Sequence, residues 1–420
     1  MELFRRNPKA SGKQRRVVVL GASFAGLSAA RNLGPELEVI VVDRRDTFEF
    51  TPNIHELISG FKRPDDLRIP LDPLILGMRH QFFRDDVLTV DLEAKTLNLS
   101  GRGTLEYDSL IVGIGGVDTT RGVEGVEQHA WPFKNIDQCA AIGRELHRQL
   151  NGFREARDYR VVIVGGGLEG IEALGEILRR YRHRRELSVR VVEARDRLLP
   201  NEPIAIDIEL RRHCHDHGVE LLFGARIARV NKNVIELDDG RKIGSDLTIW
   251  TGGVAPPPLL TDAGLAEEGK WAEVDSSLET RIAKDVFIVG DAARPPTRPS
   301  KQAYHGLDMG ALCAENIRRR QRGQSLRNYE PSPKPTLIAF GDLDTFMVSK
   351  RFVIAGTALA PLKESVFQLV MSQLSPPVDP SSALGLATRL GRSAQSFLTP
   401  TFGSISSLVE RPGVRRLKAA

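Results

Sequence analysis

The chain reads as an α/β protein of two interleaved Rossmann-like dinucleotide-binding domains, followed by a C-terminal α+β segment. Three observations predict it. An apolar strand, Val17 to Leu20, runs straight into the glycine loop GASFAG, Gly21 to Gly26. A second strand, Val161 to Val164, runs into GGGLEG, Gly165 to Gly170. The same order of elements follows each loop, so the repeat has the size of a domain.

Each element follows from its residues. After the first loop, Ala25, Leu27, Ala29, Ala30 and Leu33 fall at helical spacing, and LEVIVVD supplies the next strand. Small residues let that helix lie close on a sheet. Residues 79–119 alternate short strands and turns and end in YDSLIVGIGG. The second loop opens the helix GGGLEGIEALGEILRRY; SVRVVEA is its next strand, and residues 219–253 repeat the hairpin region, ending in DLTIWTGG. Asp108 and Asp246 occupy matching places before the final glycines. PPPLL leaves the second unit, DVFIVGD is a further apolar strand ending at Gly290-Asp291, and AYHGLDMGALCAENIRRR is helical. Pro331, Pro333 and Pro335 open a segment with strands at TLIAFG and DTFMVS and a helix at KESVFQLVMSQL. The expected boundaries are 1–119 and 273–325 for the two parts of the first domain and 120–272 for the second. A C-terminal interface segment spans 326–380, and a basic amphipathic tail spans 381–420.

The 420 residues carry 59 Lys and Arg against 54 Asp and Glu, a net charge of +5. The excess sits in residues 381–420, where Arg389, Arg392, Arg411, Arg415, Arg416 and Lys418 face the single acid Glu410; the rest is balanced. No apolar run reaches the roughly 18 residues of a membrane span. The start, MELFRRNPKASGKQRR, is basic but lacks the apolar stretch of a secretory signal. Cys139, Cys214 and Cys313 are scattered, which reads as reduced thiols in a cytoplasmic protein. His213, His215 and His217 alternate around Cys214 without carboxylate spacing, so a solvated helix face is expected there and no metal centre.

The loops carry the chemistry. In the first, Gly21 permits the tight turn, Ser23 lets the backbone approach a pyrophosphate and can donate to it, and Gly26 permits close helix packing. Asp43 ends the next strand, placed for ribose hydroxyls. Phe24, Ala25 and Arg44 beside these residues are taken as cofactor-binding, as are Gly115 and Gly252 in the glycine runs that close the two hairpin regions. The second loop keeps Gly165, Gly167 and Gly170, with Glu193 at its strand end. A carboxylate there repels a 2′-phosphate and favours NADH over NADPH, a preference that Arg195 and Arg197 blur.

The order GASFAG, YDSLIVGIGG, WPFK, GGGLEGIE, TGG and VGDAA resembles the pyridine-nucleotide-dependent flavoprotein reductases. Within them it most resembles the type II NADH dehydrogenases and the apoptosis-inducing-factor-like quinone reductases, over about residues 15–320. The resemblance implies FAD on the first domain, NADH on the second, and electrons passed through the flavin to a quinone. It implies that Gly290 and Asp291 lie by the ribityl and pyrophosphate of FAD. It implies too that Glu172, two residues past the third glycine, lies near the flavin and bridges toward the nicotinamide. The alternative for Glu172 is a surface residue favoured by the helix dipole. The type II dehydrogenases carry an Ala-Gln-x-Ala helix start where this chain has Ala303-Tyr304-His305-Gly306. Lys301 and Tyr304 are closer to the apoptosis-inducing-factor-like pattern. Lys301 would then place a cation near the flavin's N1, and Tyr304 would stack on or hydrogen-bond the acceptor; ordinary helix-start roles stay open for both. This departure leaves the acceptor open. A soluble NADH-dependent reductase of a small redox protein and a non-turnover redox-sensing flavoprotein are the alternatives. The close cysteine pair of disulfide reductases and the spaced cysteines of sulfide:quinone reductases are both missing.

In the tail, Ala383, Leu384, Ala387, Leu390, Ala394, Phe397 and Leu398 fall at helical spacing, and Phe402, Ile405, Leu408 and Val409 repeat it. A basic amphipathic pair of helices suits an anionic membrane surface, on the cytoplasmic face, where a lipid-dissolved quinone is met. Packing on the body, or on a second copy in a homodimer, is the alternative. The basic residues lack interleaved aromatics, so no nucleic-acid partner is expected.

Overall fold

The computed structural model describes residues 14–151, 158–349, 352–374 and 413–417. Two compact units emerge, one drawn from Met1–Phe48, Ile69–Val117 and Val254–Ser332, the other from Glu49–Arg68, Asp118–Gly253 and Pro333–Ala420.

In the first unit five parallel strands stand in the order Val286–Ile288, Ser109–Val112, Arg16–Leu20, Glu38–Asp43 and Gln81–Arg84. Val17, Val18, Val19 and Leu20 are all buried, as a strand covered on both faces requires. The helix Phe24–Asn32 lies along the helix Ala303–Gln321. Gly310 makes that closeness possible, because a Cβ there would strike the carbonyl oxygen of Ala25 and stand 2.9 Å from the Ala29 nitrogen. Val87–Asp91, Thr96–Leu99 and Gly103–Glu106 form a small antiparallel sheet.

The second unit repeats this plan. Its parallel sheet runs Ala130–Pro132, Leu247–Trp250, Tyr159–Val164, Leu187–Glu193 and Glu220–Phe223. Its small antiparallel sheet is Ile227–Asn231, Val234–Leu237 and Lys242–Gly244. A further antiparallel sheet of Thr336–Phe340, Asp344–Ser349, Phe352–Ala355 and Arg415–Leu417 packs on the helix Leu168–Tyr181. Gly175 allows the approach, since a Cβ there would lie 2.6 Å from the Phe340 carbonyl carbon.

Four features differ from the sequence reading. Residues 254–272, expected in the second domain, group with the first unit. Residues 49–68, expected in the first domain, group with the second unit. The short helix Glu56–Ser59 is the physical reason: it packs on Ile136–Asn151 and Leu168–Tyr181, and a Cβ on Gly143 would come within 2.5 Å of the Leu57 carbonyl oxygen. The segment after Pro333 likewise belongs to that unit. The amphipathic pattern over 383–409 lies outside the described residues. The basic end, however, is not a tail: Arg415–Leu417 is a strand antiparallel to Phe352–Ala355. Val414 packs on the cluster of Met347, Ile354 and Leu359, and Arg415 reaches Glu209 at 3.1 Å and Asp344. Among the described residues, no helix is long and apolar enough to cross a membrane.

Candidate active site

The two glycine loops are built alike. Gly21 has φ +91°, and its N–H donates to the Val42 carbonyl at 2.8 Å. Gly165 has φ +111°, and its N–H donates to the Val192 carbonyl at 2.8 Å. A Cβ on Gly26 would strike the Gly21 carbonyl oxygen, and one on Gly170 would strike that of Gly165. The strand-end acids fasten their loops. Asp43 accepts the N–H of Ala22 at 2.7 Å and of Arg45 at 2.8 Å. Glu193 accepts the N–H of Gly166 at 2.6 Å and of Arg195 at 2.9 Å. A carboxylate offers about four acceptor positions, so each retains capacity for ribose hydroxyls.

Both loops fit a dinucleotide. The helices Phe24–Asn32 and Leu168–Tyr181 start without a side-chain cap, leaving N–H donors for an anion. Ser23 is exposed at the first of these starts, and open space surrounds the positions where Gly167 and Gly115 would carry a Cβ. Arg44 is exposed beside Asp43. Gly252 has a packing role as well: a Cβ there would lie 2.5 Å from the Trp250 indole, and its carbonyl accepts from Arg121 at 2.8 Å. The guanidiniums of Arg195 and Arg197 are tied to their own loop, on Asn201 at 3.1 Å and on the Pro200 carbonyl at 2.5 Å.

In the first unit, Gly290 (φ +68°) and Gly306 both face Ala25, which brings Gly290-Asp291 to the start of the loop's helix. Phe24 meets Phe48 edge-on, with ring centroids 5.1 Å apart. A cavity there is lined by Trp271, Gly290, Asp291, Arg294, Lys301 and His305. Lys301 donates to the Asp291 carbonyl at 2.6 Å, its ammonium 2.7 Å from the centroid of the Trp271 ring. Burial of that ammonium pulls its pKa down to about 8, although the residue as a whole is exposed. Tyr304 is not among the lining residues; burial pushes its phenol up to about 12. Trp271, Arg294 and His305 carry no motif that would have marked them.

In the second unit, Glu172 is buried, which argues against the surface reading. Lys363 donates to its Oε1 at 2.7 Å, and the Ala339 N–H approaches the same oxygen at 3.4 Å. His55 Nδ1 stands 3.4 Å from Oε2, and its Nε2 is 3.2 Å from the Lys363 ammonium. Burial raises the Glu172 pKa, and Lys363 opposes the rise. Burial, reinforced by Lys363, holds His55 well below its ordinary value, so the imidazole is neutral. One turn on, Glu176 accepts from the Ser59 hydroxyl and from Arg179 at 3.0 Å; burial raises it to about 7. Glu56 is buried too, accepting from Asn53 at 2.8 Å, and burial raises it. Of this cluster the sequence marked Glu172 alone. Lys363 and His55 arrive from distant segments with no local signal.

The three cysteines are free and buried, and burial pushes each thiol up. His213, expected on a solvated face, is partly buried with Asp344 Oδ2 at 3.4 Å. With Glu209 it forms a group able to offer three ligand atoms, but Arg415 already supplies the cation on both carboxylates.

Several known proteins share this architecture. An NDH2 structure from Plasmodium falciparum in complex with NADH superposes with a TM-score of 0.77 at 15% identity, covering 86% of this chain and 95% of that one. The sulfide:quinone oxidoreductase of Aquifex aeolicus gives a TM-score of 0.77 at 18% identity, covering 96% and 97%. In sequence, the type II NADH:quinone oxidoreductase of Staphylococcus epidermidis is 23% identical over 407 residues, 90% of this chain and 99% of that protein. The Staphylococcus aureus enzyme of the same name is 23% identical over 84% of this chain and 94% of its own. The family model for pyridine nucleotide-disulphide oxidoreductases matches residues 15–310. With its duplicated loops each locked by a strand-end acid, the chain belongs to the pyridine nucleotide-disulphide oxidoreductase family.

Proposed function

We propose that the chain is an FAD-dependent NADH:quinone oxidoreductase. Bound FAD supplies the redox chemistry, accepting a hydride from NADH and returning electrons to the quinone. Gly21, Ser23, Phe24, Ala25, Gly26, Asp43, Arg44, Gly115, Gly290 and Asp291 hold the FAD, with Lys301 as a cation in that unit and Tyr304 near the acceptor. Gly165, Gly167, Gly170, Glu193 and Gly252 hold the nicotinamide dinucleotide. NADH is preferred over NADPH because the Glu193 carboxylate at the strand end would repel a 2′-phosphate and both neighbouring arginines are occupied.

The observation that carries the reading is the buried Glu172–Lys363–His55 group on the helix of the second loop. Reducing a quinone to a quinol takes two electrons and two protons. NADH contributes a hydride, so one proton comes from solvent. Glu172, whose carboxyl burial inclines toward its protonated form, is held by Lys363 at 2.7 Å and is the group placed to relay that proton. Neutral His55 accepts from Lys363 at Nε2, and its Nδ1 stands 3.4 Å from Glu172 Oε2, which keeps both partners oriented. Contact with the cytoplasmic face of a membrane through the amphipathic pattern of residues 383–409 fits a lipid-dissolved acceptor, and a homodimer is the other use of that segment.

Stopped-flow mixing of the FAD-loaded protein with NADH, then with a short-chain quinone, tests the reading. Flavin colour should bleach and then recover in the second step at a rate set by quinone. Recovery only with a small redox protein, or only at the rate of oxygen, would overturn it.

A further inference from the structure

Glu169 lies inside the second glycine loop, in the first turn of the helix Leu168–Tyr181. A carboxylate there favours the bare helix, whose N-terminus is electropositive. It opposes a pyrophosphate arriving at the same place, because the two charges have the same sign. The matching residue of the first loop is Ala25, which is neutral and packed against Gly290 and Gly306.

Lys134, from the stretch AWPFK, forms a direct ion pair with Glu169 Oε1. The lysine's backbone is fixed: its N–H donates to Gln138 Oε1 at 2.8 Å, and the Gln138 amide donates to Asp118 at 3.3 Å. The two side chains keep 21% and 37% of their surface exposed, so an incoming anion can reach the ammonium.

We propose that the Lys134–Glu169 pair sets the affinity of the second loop for its dinucleotide. Lys134 is a binding residue for the pyrophosphate, and Glu169 competes with that pyrophosphate for the same ammonium. FAD, which stays, sits in a loop with no such competitor; the nicotinamide dinucleotide must leave after each turnover, and Glu169 weakens its hold. The inference rests on the second loop binding NADH.

The test is equilibrium titration of FAD-loaded protein with NAD+ and with ADP-ribose, which keeps the pyrophosphate and lacks the nicotinamide. Glu169→Gln should tighten both by about tenfold, and Lys134→Met should weaken both by about tenfold. The double variant should fall between them, and added salt should shrink every difference. Unchanged or weaker binding by Glu169→Gln, with flavin content intact, would overturn the proposal. An effect on NAD+ without one on ADP-ribose would also overturn it, by placing the pair on the nicotinamide half. Should the unmodified protein bind neither ligand, the NADH reading itself falls.

Discussion

The glycine loop of the first unit and that of the second agree bond for bond. The agreement extends to the strand starts: Arg16 N–H donates to Asp108 at 2.7 Å, and Arg160 N–H donates to Asp246 at 2.9 Å. Among the positions where their residues part are Ser23 against Gly167, Ala25 against Glu169, and Ser28 against Glu172. Ser28 donates to the Leu307 carbonyl at 2.6 Å and is satisfied by a neighbouring helix backbone. Glu172, in the equivalent place, is met by an ammonium and an imidazole. Backbone geometry therefore makes both loops dinucleotide cradles. Within the helix starts the second loop adds two carboxyl groups, Glu169 and Glu172, where the first has Ala25 and Ser28.

The sharpest way to break the comparison is to strain each cradle alone. At both Gly21 and Gly165 a side chain would meet positive φ and backbone or side-chain atoms at 2.5 and 2.6 Å. Gly21→Val should yield colourless protein. Gly165→Val should stay yellow while losing NADH affinity by more than a hundredfold, at a strain of about 3 kcal/mol. Visible absorbance and NADH titration decide the matter; loss of flavin from both would show that the cradles are not independent.

Next in size is the Ser28 and Glu172 contrast. Glu172→Gln should slow steady-state quinone turnover by about a hundredfold or more. Ser28→Ala should cost about 1 kcal/mol of stability in denaturant unfolding and leave turnover alone. Equal kinetic damage from both would remove Glu172 from proton handling.

Glu176 gives a pH signature to the second unit. Its folded value of about 7 lies above its ordinary 4.5, so its contribution is fully present below pH 4.5 and is lost as pH rises through 7. Above that pH the unmodified protein should give up about 3 kcal/mol that Glu176→Gln retains. Unfolding free energies of the two proteins should diverge with rising pH; parallel curves would mean that Glu176 titrates normally. The smallest effect concerns coenzyme choice: Glu193→Ala should move the NADPH to NADH ratio of kcat/KM by about tenfold toward NADPH. Asp43→Ala, at the equivalent place, should leave that ratio unchanged.

The cradles were legible in the sequence because their glycines, acids and flanking apolar strands are local. Asp108 and Asp246 were visible for the same reason, as matching members of a repeat. Glu172 was legible by its distance from Gly170, but its partners were not. Lys363 and His55 come from segments far along the chain, and nothing in APLKES or NIHELI distinguishes them from helix-surface residues. The grouping of residues 49–68 with the second unit was hidden likewise, because it depends on Gly143 admitting the Leu57 backbone. Tyr304 was placed by resemblance; its neighbours His305 and Lys301 line the cavity instead.

The pairing of Arg415–Leu417 with Phe352–Ala355 bears on how the end of the chain can be cut. Removing everything after residue 380 would strip an outer strand from a sheet and bare a row of unpaired amides, an invitation to aggregation. It would also leave the Asp344 carboxylate without its guanidinium. Sedimentation with liposomes would then report damage rather than lost adhesion. An internal excision of 383–409, closed by a short flexible bridge, separates the two, since lengthening or shortening such a connection costs little.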